Sequence, residues 1–186
     1  MVKNVELEFK TVIPKEKYQE IILKYHLDDN IFLQTNHYFD TPNLELSQQD
    51  IVLRIRQKGS RFFKVTLKSQ HPKDAYESHI LLSKEQAQTM LQEGFHTKQF
   101  FPKLDYFVSY QTSIDNYRAS LPYHHGTMFI DRCEYCGQVD YELEYEVSRF
   151  NEGLEQFNSF LTKHDITLKH TKRKSDRAFS CQIKKD

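Results

Sequence analysis

The chain has 186 residues, enough for one domain with a substantial core, and its 26 Lys plus Arg balance 26 Asp plus Glu. That balance argues against non-specific binding to nucleic acid or membrane surfaces, and no apolar run of about 18 residues or charged-then-apolar leader marks a membrane span or an export signal. Three cysteines do not make a disulfide framework; Cys133-x-x-Cys136 has the spacing of half a zinc site but reads better as a hairpin with two reduced thiols, and the expected compartment is the cytoplasm.

The first predicted strand, around Glu6-Leu7-Glu8-Phe9-Lys10, alternates: Glu6, Glu8 and Lys10 share one face, and Val5, Leu7 and Phe9 the other. Pro14 suits a helix start, with Tyr18, Ile21, Ile22 and Tyr25 at helical spacing along one side. Residues 32–39 read as a strand that ends in the turn-forming run Asp40-Thr41-Pro42-Asn43. Strands over 51–57 and 61–69 form a hairpin about Gly59-Ser60. In this hairpin Arg54 and Arg56 lie opposite Leu53 and Ile55, and Lys64, Thr66 and Lys68 lie opposite Phe63, Val65 and Leu67.

A strand over 75–82 carries Glu77 and His79 on one face. Ser83 and Gln86 have capping-box spacing and open a helix that runs to about Gly94, with Ala87, Met90 and Leu91 inward. Residues 104–114 read as a strand whose hairpin partner, about 117–121, carries Arg118. A strand over 127–135 sets Asp131 and Cys133 opposite Met128, Ile130 and Arg132, and Gly137 turns the chain. The strongest alternation follows: Asp140, Glu142, Glu144 and Glu146 on one face, Tyr141, Leu143, Tyr145 and Val147 on the other. A helix over 151–164 points Leu154, Phe157 and Leu161 inward, and the basic run Lys172-Arg173-Lys174 enters a short closing helix. His37 and the His124-His125 pair read as surface or capping residues.

Alternating Glu and Lys on an exposed strand is ordinary surface chemistry, and no one strand would argue otherwise. What argues otherwise is recurrence, with acids and bases segregated by strand. Like charges set close on a sheet destabilise it unless water, opposite charges or a bound ion offset them. If the apolar faces pack against helices on the outside, the charged faces line the lumen of a barrel. The expected fold is therefore α+β, an eight-stranded antiparallel β-barrel with helices outside, in a single domain spanning 1–186. Carboxylates two apart on a strand suit a hard divalent cation, and Arg and Lys suit phosphate oxygens. With no Gly-rich phosphate loop in the chain, side chains would hold the anion.

The run Glu6-x-Glu8-x-Lys10 resembles the ExExK signature of the CYTH domain, or triphosphate tunnel metalloenzyme superfamily. The likeness continues through Tyr38-Phe39-Asp40-Thr41-Pro42, Leu53-Arg54-Ile55-Arg56, Thr66-Leu67-Lys68, Arg118, Asp131, Glu142-Leu143-Glu144 and Lys174-Ser175-Asp176-Arg177-Ala178. The chain is similar to the small stand-alone bacterial members. The resemblance implies an eight-stranded tunnel that binds a small-molecule triphosphate with Mg2+ or Mn2+. It implies Glu6, Glu8, Glu142 and Glu144 as metal ligands, with Asp131 serving a second metal or orienting a water. It implies Lys10, Arg54, Arg56, Arg118 and Lys174 on the phosphates, with either Lys64 or Lys68 as the strand lysine. Tyr38 would pair with Lys10 near the attacked phosphorus; Lys10, Tyr38, Asp131 and Glu144 make up the expected catalytic set.

Glu77 and Glu146 could be rim residues or salt-bridge partners. The expected activity is a metal-dependent triphosphatase acting on inorganic tripolyphosphate, a nucleoside triphosphate or thiamine triphosphate. An adenylate cyclase and a non-catalytic polyphosphate- or nucleotide-binding module are the alternatives. The expected assembly is a monomer or a homodimer.

Overall fold

The computed structural model describes residues 7–69 and 76–182. Glu6 of the expected metal set lies outside them. Among the described residues nine strands build an antiparallel sheet whose hydrogen-bonded order is β1-β9-β8-β7-β2-β3-β4-β5, with the short β6 on β7. The strands are β1 (Leu7–Val12), β2 (Phe32–Asp40), β3 (Ile51–Lys58), β4 (Phe62–Ser69), β5 (Tyr76–Leu82), β6 (Phe95–His96), β7 (Phe107–Tyr123), β8 (Gly126–Tyr135) and β9 (Gln138–Val147). The helices are α1 (Lys15–Lys24), α2 (Glu45–Gln48), α3 (Lys84–Glu93), α4 (Phe150–Lys163) and α5 (Lys174–Gln182). The α+β class and the antiparallel sheet are as expected.

The described residues fall into two compact units, each with its own core. One comprises Gln34–Ile114 with α5. There β2 pairs β3, β3 pairs β4 and β4 pairs β5 in register, so Phe39, Leu53, Ile55, Val65 and Leu67 share a face. That face packs with Ala87 and Met90 of α3. Helix α3 begins at the predicted capping box, in which Ser83 accepts from the Gln86 amide and Gln86 accepts from that of Ser83. A cap of this kind is worth about 1 kcal/mol.

The other unit comprises the described parts of Glu6–Leu33 and Asp115–Arg173. Here β1 pairs β9, β9 pairs β8, and β8 pairs the second half of β7. Leu143, Tyr145, Met128, Ile130 and Ala119 face α1 and α4 through Ile21, Ile22, Phe157 and Phe160. The tight β8–β9 turn has positive φ at both Cys136 and Gly137, the hand that suits a twisted hairpin.

Several expectations are corrected. The stretch read as a strand plus a hairpin partner is one 17-residue strand, β7. Its alternation carries on through Ile114, Asn116 and Arg118, all buried, so the polar pair Asp115-Asn116 does not make a turn. Beside the expected eight-strand path, the described residues add the short β6, Phe95–His96, which has too few residues to show a period and pairs Phe107 and Val108. In α4 the inward face is Gly153, Phe157, Phe160 and Leu161, while Leu154 is 36% exposed. The hairpin's two cysteines also differ in state: Cys133 is a buried thiol, whereas Cys136 is disulfide-bonded. Among the described residues no helix is long and apolar enough to cross a membrane.

Candidate functional site

In the second unit, residues paired across ladders face the same way, so the strand registers fix one polar face. Arg118 on β7 stands opposite Asp131 on β8, which stands opposite Glu142 on β9. One step along, Phe129 stands opposite Glu144, and Glu144 opposite Lys10 on β1; Glu8 follows, opposite Glu146. The predicted residues Lys10, Glu8, Arg118, Asp131, Glu142 and Glu144 are thus brought together on four neighbouring strands.

The middle of this face is nearly dry: Arg118 is 7% exposed, Asp131 0%, Glu142 1% and Glu144 7%. Arg118 donates to Asp131 through two bonds, Nε to Oδ1 at 2.8 Å and Nη2 to Oδ2 at 2.6 Å, and its Nη2 also donates to Glu144. Its guanidinium carbon lies 4.1 Å from the centroid of the Phe129 ring. Burial alone would lower the Arg118 pKa, but the charges of Asp131 and Glu144 hold it well above its ordinary value. Arg118, expected as a phosphate ligand, is here engaged by two of the expected metal ligands. Lys10 pairs with Glu8 at 3.3 Å.

Ligand atoms of Asp131, Cys133 and Glu142 lie within 4.8 Å of one another, all buried. The donor chemistry fits a divalent metal. Carboxylate oxygens two residues apart on β9, with Glu8 on the same face, suit a hard cation, while the Cys133 sulfur is the one soft donor in the cluster. Three buried carboxylates on one face are a setting in which a divalent cation would be well held.

In the first unit, Arg54 and Arg56 on β3 share a face with Lys64, Thr66 and Lys68 on β4 and with Tyr38 on β2. Arg56 donates from Nε to Asn36 Oδ1 at 2.9 Å, and Lys68 lies 3.9 Å from Glu77, which makes Glu77 a salt-bridge partner. Tyr38 is 1% exposed and packs on Phe179 of α5, the helix that Lys174 opens. Just beyond, Asp40 is a structural anchor. Its two carboxylate oxygens accept from the amides of Thr41, Leu46 and Ser47 and from the Ser47 hydroxyl, which pins the short helix α2.

Sequence reading set Thr66 on the charged face but missed the other buried neutral polar residues of these faces, Gln34 and Asn36 in one unit and Asn116 in the other. A signal was present in the period-2 run Gln34-x-Asn36-x-Tyr38, which sets polar groups on the charged side of β2. Nor was His164 anticipated; it is fully buried in α4's C-terminal turn.

Three comparisons bear on this arrangement. The family model described as "CYTH domain" matches residues 4–179. A Bacillus subtilis (strain 168) protein named "Putative triphosphatase YjbK" is 31% identical over 180 residues, covering 94% of each chain. Among solved structures, one described as "a putative adenylate cyclase" from Bacillus halodurans superposes with a TM-score of 0.86 at 30% identity, covering 96% of this chain and 100% of that one. HpAC1 from Hippeastrum, whose description states a dominant triphosphatase activity, superposes at 0.76 with 20% identity over 96% of both chains, a likeness of fold.

Proposed function

We propose, from the premise that this chain belongs to the CYTH domain family, that it is a divalent-metal-dependent triphosphatase built as a single CYTH domain. The observation that carries the reading is the buried set of Asp131, Glu142 and Glu144 gathered on one sheet face about Arg118. Isolated carboxylates avoid such a place, because burying a charge without offset is costly. The Bacillus subtilis relative named "Putative triphosphatase YjbK", 31% identical, supports the choice among activities.

In this reading Glu8, Glu142 and Glu144 would hold Mg2+ or Mn2+, with Glu6 as a further ligand. A divalent cation held there would neutralise phosphate oxygens and acidify water. Asp131 holds the Arg118 guanidinium in place through both of its oxygens. Arg54, Arg56, Lys64, Lys68 and Lys174 spread positive charge over the polyphosphate, and Lys10 and Tyr38 serve the terminal phosphoryl group. Water held by the acidic face attacks the terminal phosphorus. A P–O bond forms to water, the bridging P–O bond breaks, and orthophosphate leaves with the shortened diphosphate. Catalysis here is positioning and charge neutralisation. The substrate is inorganic tripolyphosphate or a small organic triphosphate.

The test is orthophosphate release from tripolyphosphate, ATP, GTP and thiamine triphosphate, each with Mg2+ and with Mn2+. Arg56→Ala and Glu142→Gln are each expected to lower turnover by at least about a hundredfold while circular dichroism stays native. Equal turnover in those variants would remove the mechanism. Cyclic AMP in place of orthophosphate would assign a cyclase, and tight binding without turnover a binding module.

A further inference from the structure

Three buried side chains on the basic face carry groups that meet no hydrogen-bond partner among the described residues: Nε2 of Gln34, Nδ2 of Asn36 and the Thr66 hydroxyl. Their exposures are 1%, 0% and 1%. Polar groups so deeply buried are ordinarily bonded. In the ladder Gln34 stands opposite Lys58, Asn36 opposite Arg56, and Thr66 opposite Arg54, so all three share the face of the two arginines.

The direction of the Asn36 amide is settled by its neighbour. Its Oδ1 accepts from Arg56 Nε, and turning the amide over would set an NH2 group against a guanidinium, donor against donor. Nδ2 is therefore a donor with its bond unmade. The Gln34 atom is also a donor, and a hydroxyl can donate. A row of donors beside two arginines calls for a ligand rich in acceptor oxygens and poor in donors.

We infer that Asn36, Thr66 and Gln34 bind the oxygens of the polyphosphate, as a neutral row set beside Arg54 and Arg56. This rests on the triphosphatase reading and adds residues to its substrate site. The arginines supply charge. The neutral donors, on strands β2 and β4, supply fixed direction, which a charged but mobile side chain supplies less well.

Two substitutions test this, read by calorimetric binding of inorganic tripolyphosphate, by KM and kcat for its hydrolysis, and by melting temperature. Thr66→Val keeps the shape and deletes a hydroxyl with no bond to lose among the described residues, so its melting temperature is expected not to fall. Its affinity for tripolyphosphate is expected to drop about tenfold, with KM rising more than kcat falls, and Thr66→Ser should restore both. Asn36→Asp keeps the acceptor for Arg56 but replaces the donor, and about a hundredfold weaker binding is expected.

Lower melting temperature with unchanged affinity would make these groups structural and overturn the inference, as would a variant that fails to fold. Unchanged affinity in both variants, with the wild-type chain active, would overturn the inference and leave the triphosphatase standing. A wild-type chain that neither binds nor cleaves tripolyphosphate would overturn both.

Discussion

Arg118 is the residue on which the buried electrostatics of the acidic face turn. It gives Asp131 two bonds and Glu144 a third, and it is 7% exposed. Removing one partner from a buried ionic set strands the others, which costs about 3–5 kcal/mol. Arg118→Met, similar in length but neutral, is expected to lose that much in urea unfolding. An Arg118→Met, Asp131→Asn double variant should recover part of the loss, because one of the stranded charges is gone. Full additivity of the two losses would show that the groups are not coupled. Asp40 makes a different point at the same scale. It sits inside a motif that resembles a functional signature, yet its oxygens are filled by the Thr41, Leu46 and Ser47 amides and the Ser47 hydroxyl. Its work in the structure is to hold a turn and the start of α2.

At the scale of elements, α4 lies on the apolar face of β9 and β1 through a glycine. A Cβ added at Gly153 would meet Val147 Cγ2 at 2.5 Å and Phe9 Cε2 at 3.0 Å. Gly153→Ala would gain helix propensity but push the helix off the sheet, and overpacking of this kind costs about 1–3 kcal/mol. A lowered melting temperature is expected; a raised one would mean that α4 can shift freely. The same contact explains why Leu154 is not on the inward face. The helix seats its glycine at the point of closest approach, and Phe157, Phe160 and Leu161 follow at helical spacing. Strand β7 shows how an element can be misjudged from local polarity. Asp115 and Asn116 suit a turn, but ladder pairing to Glu134 and Cys133 holds them extended.

For the whole molecule, stability should depend on pH through His164, a titratable ring enclosed by packed side chains. Burial pushes its pKa below the ordinary 6.5, and Lys24 adds to this, while Glu20 opposes it. Its Nε2 lies 3.0 Å from the Tyr25 hydroxyl, an arrangement the neutral ring satisfies as acceptor. The unfolded chain therefore takes up this proton more readily than the folded one. Stability from His164 is complete above about pH 6.5 and is lost as pH falls toward the depressed folded pKa. In urea unfolding between pH 7.5 and 5, the wild type should lose stability more steeply than His164→Gln, by up to about 1.4 kcal/mol per pH unit. Equal slopes would show that His164 titrates alike in both states.

The sequence by itself determined the class of fold, the side of the charged strands on which their charges lie, and the family. Those properties are local or nearly so: a strand's period of two fixes which neighbours share a face, whatever the strand later pairs with. Alternation alone thus sets Glu142 and Glu144 opposite Leu143 and Tyr145, and the folded chain places them so. Tertiary structure alone decided who meets whom. Arg118 finds Asp131 thirteen residues on and Glu144 twenty-six residues on, and Asn36 finds Arg56 twenty residues on. Such partners are chosen by ladder register and by the cost of leaving a buried polar group unmatched, and neither is written in the spacing of residues along the chain.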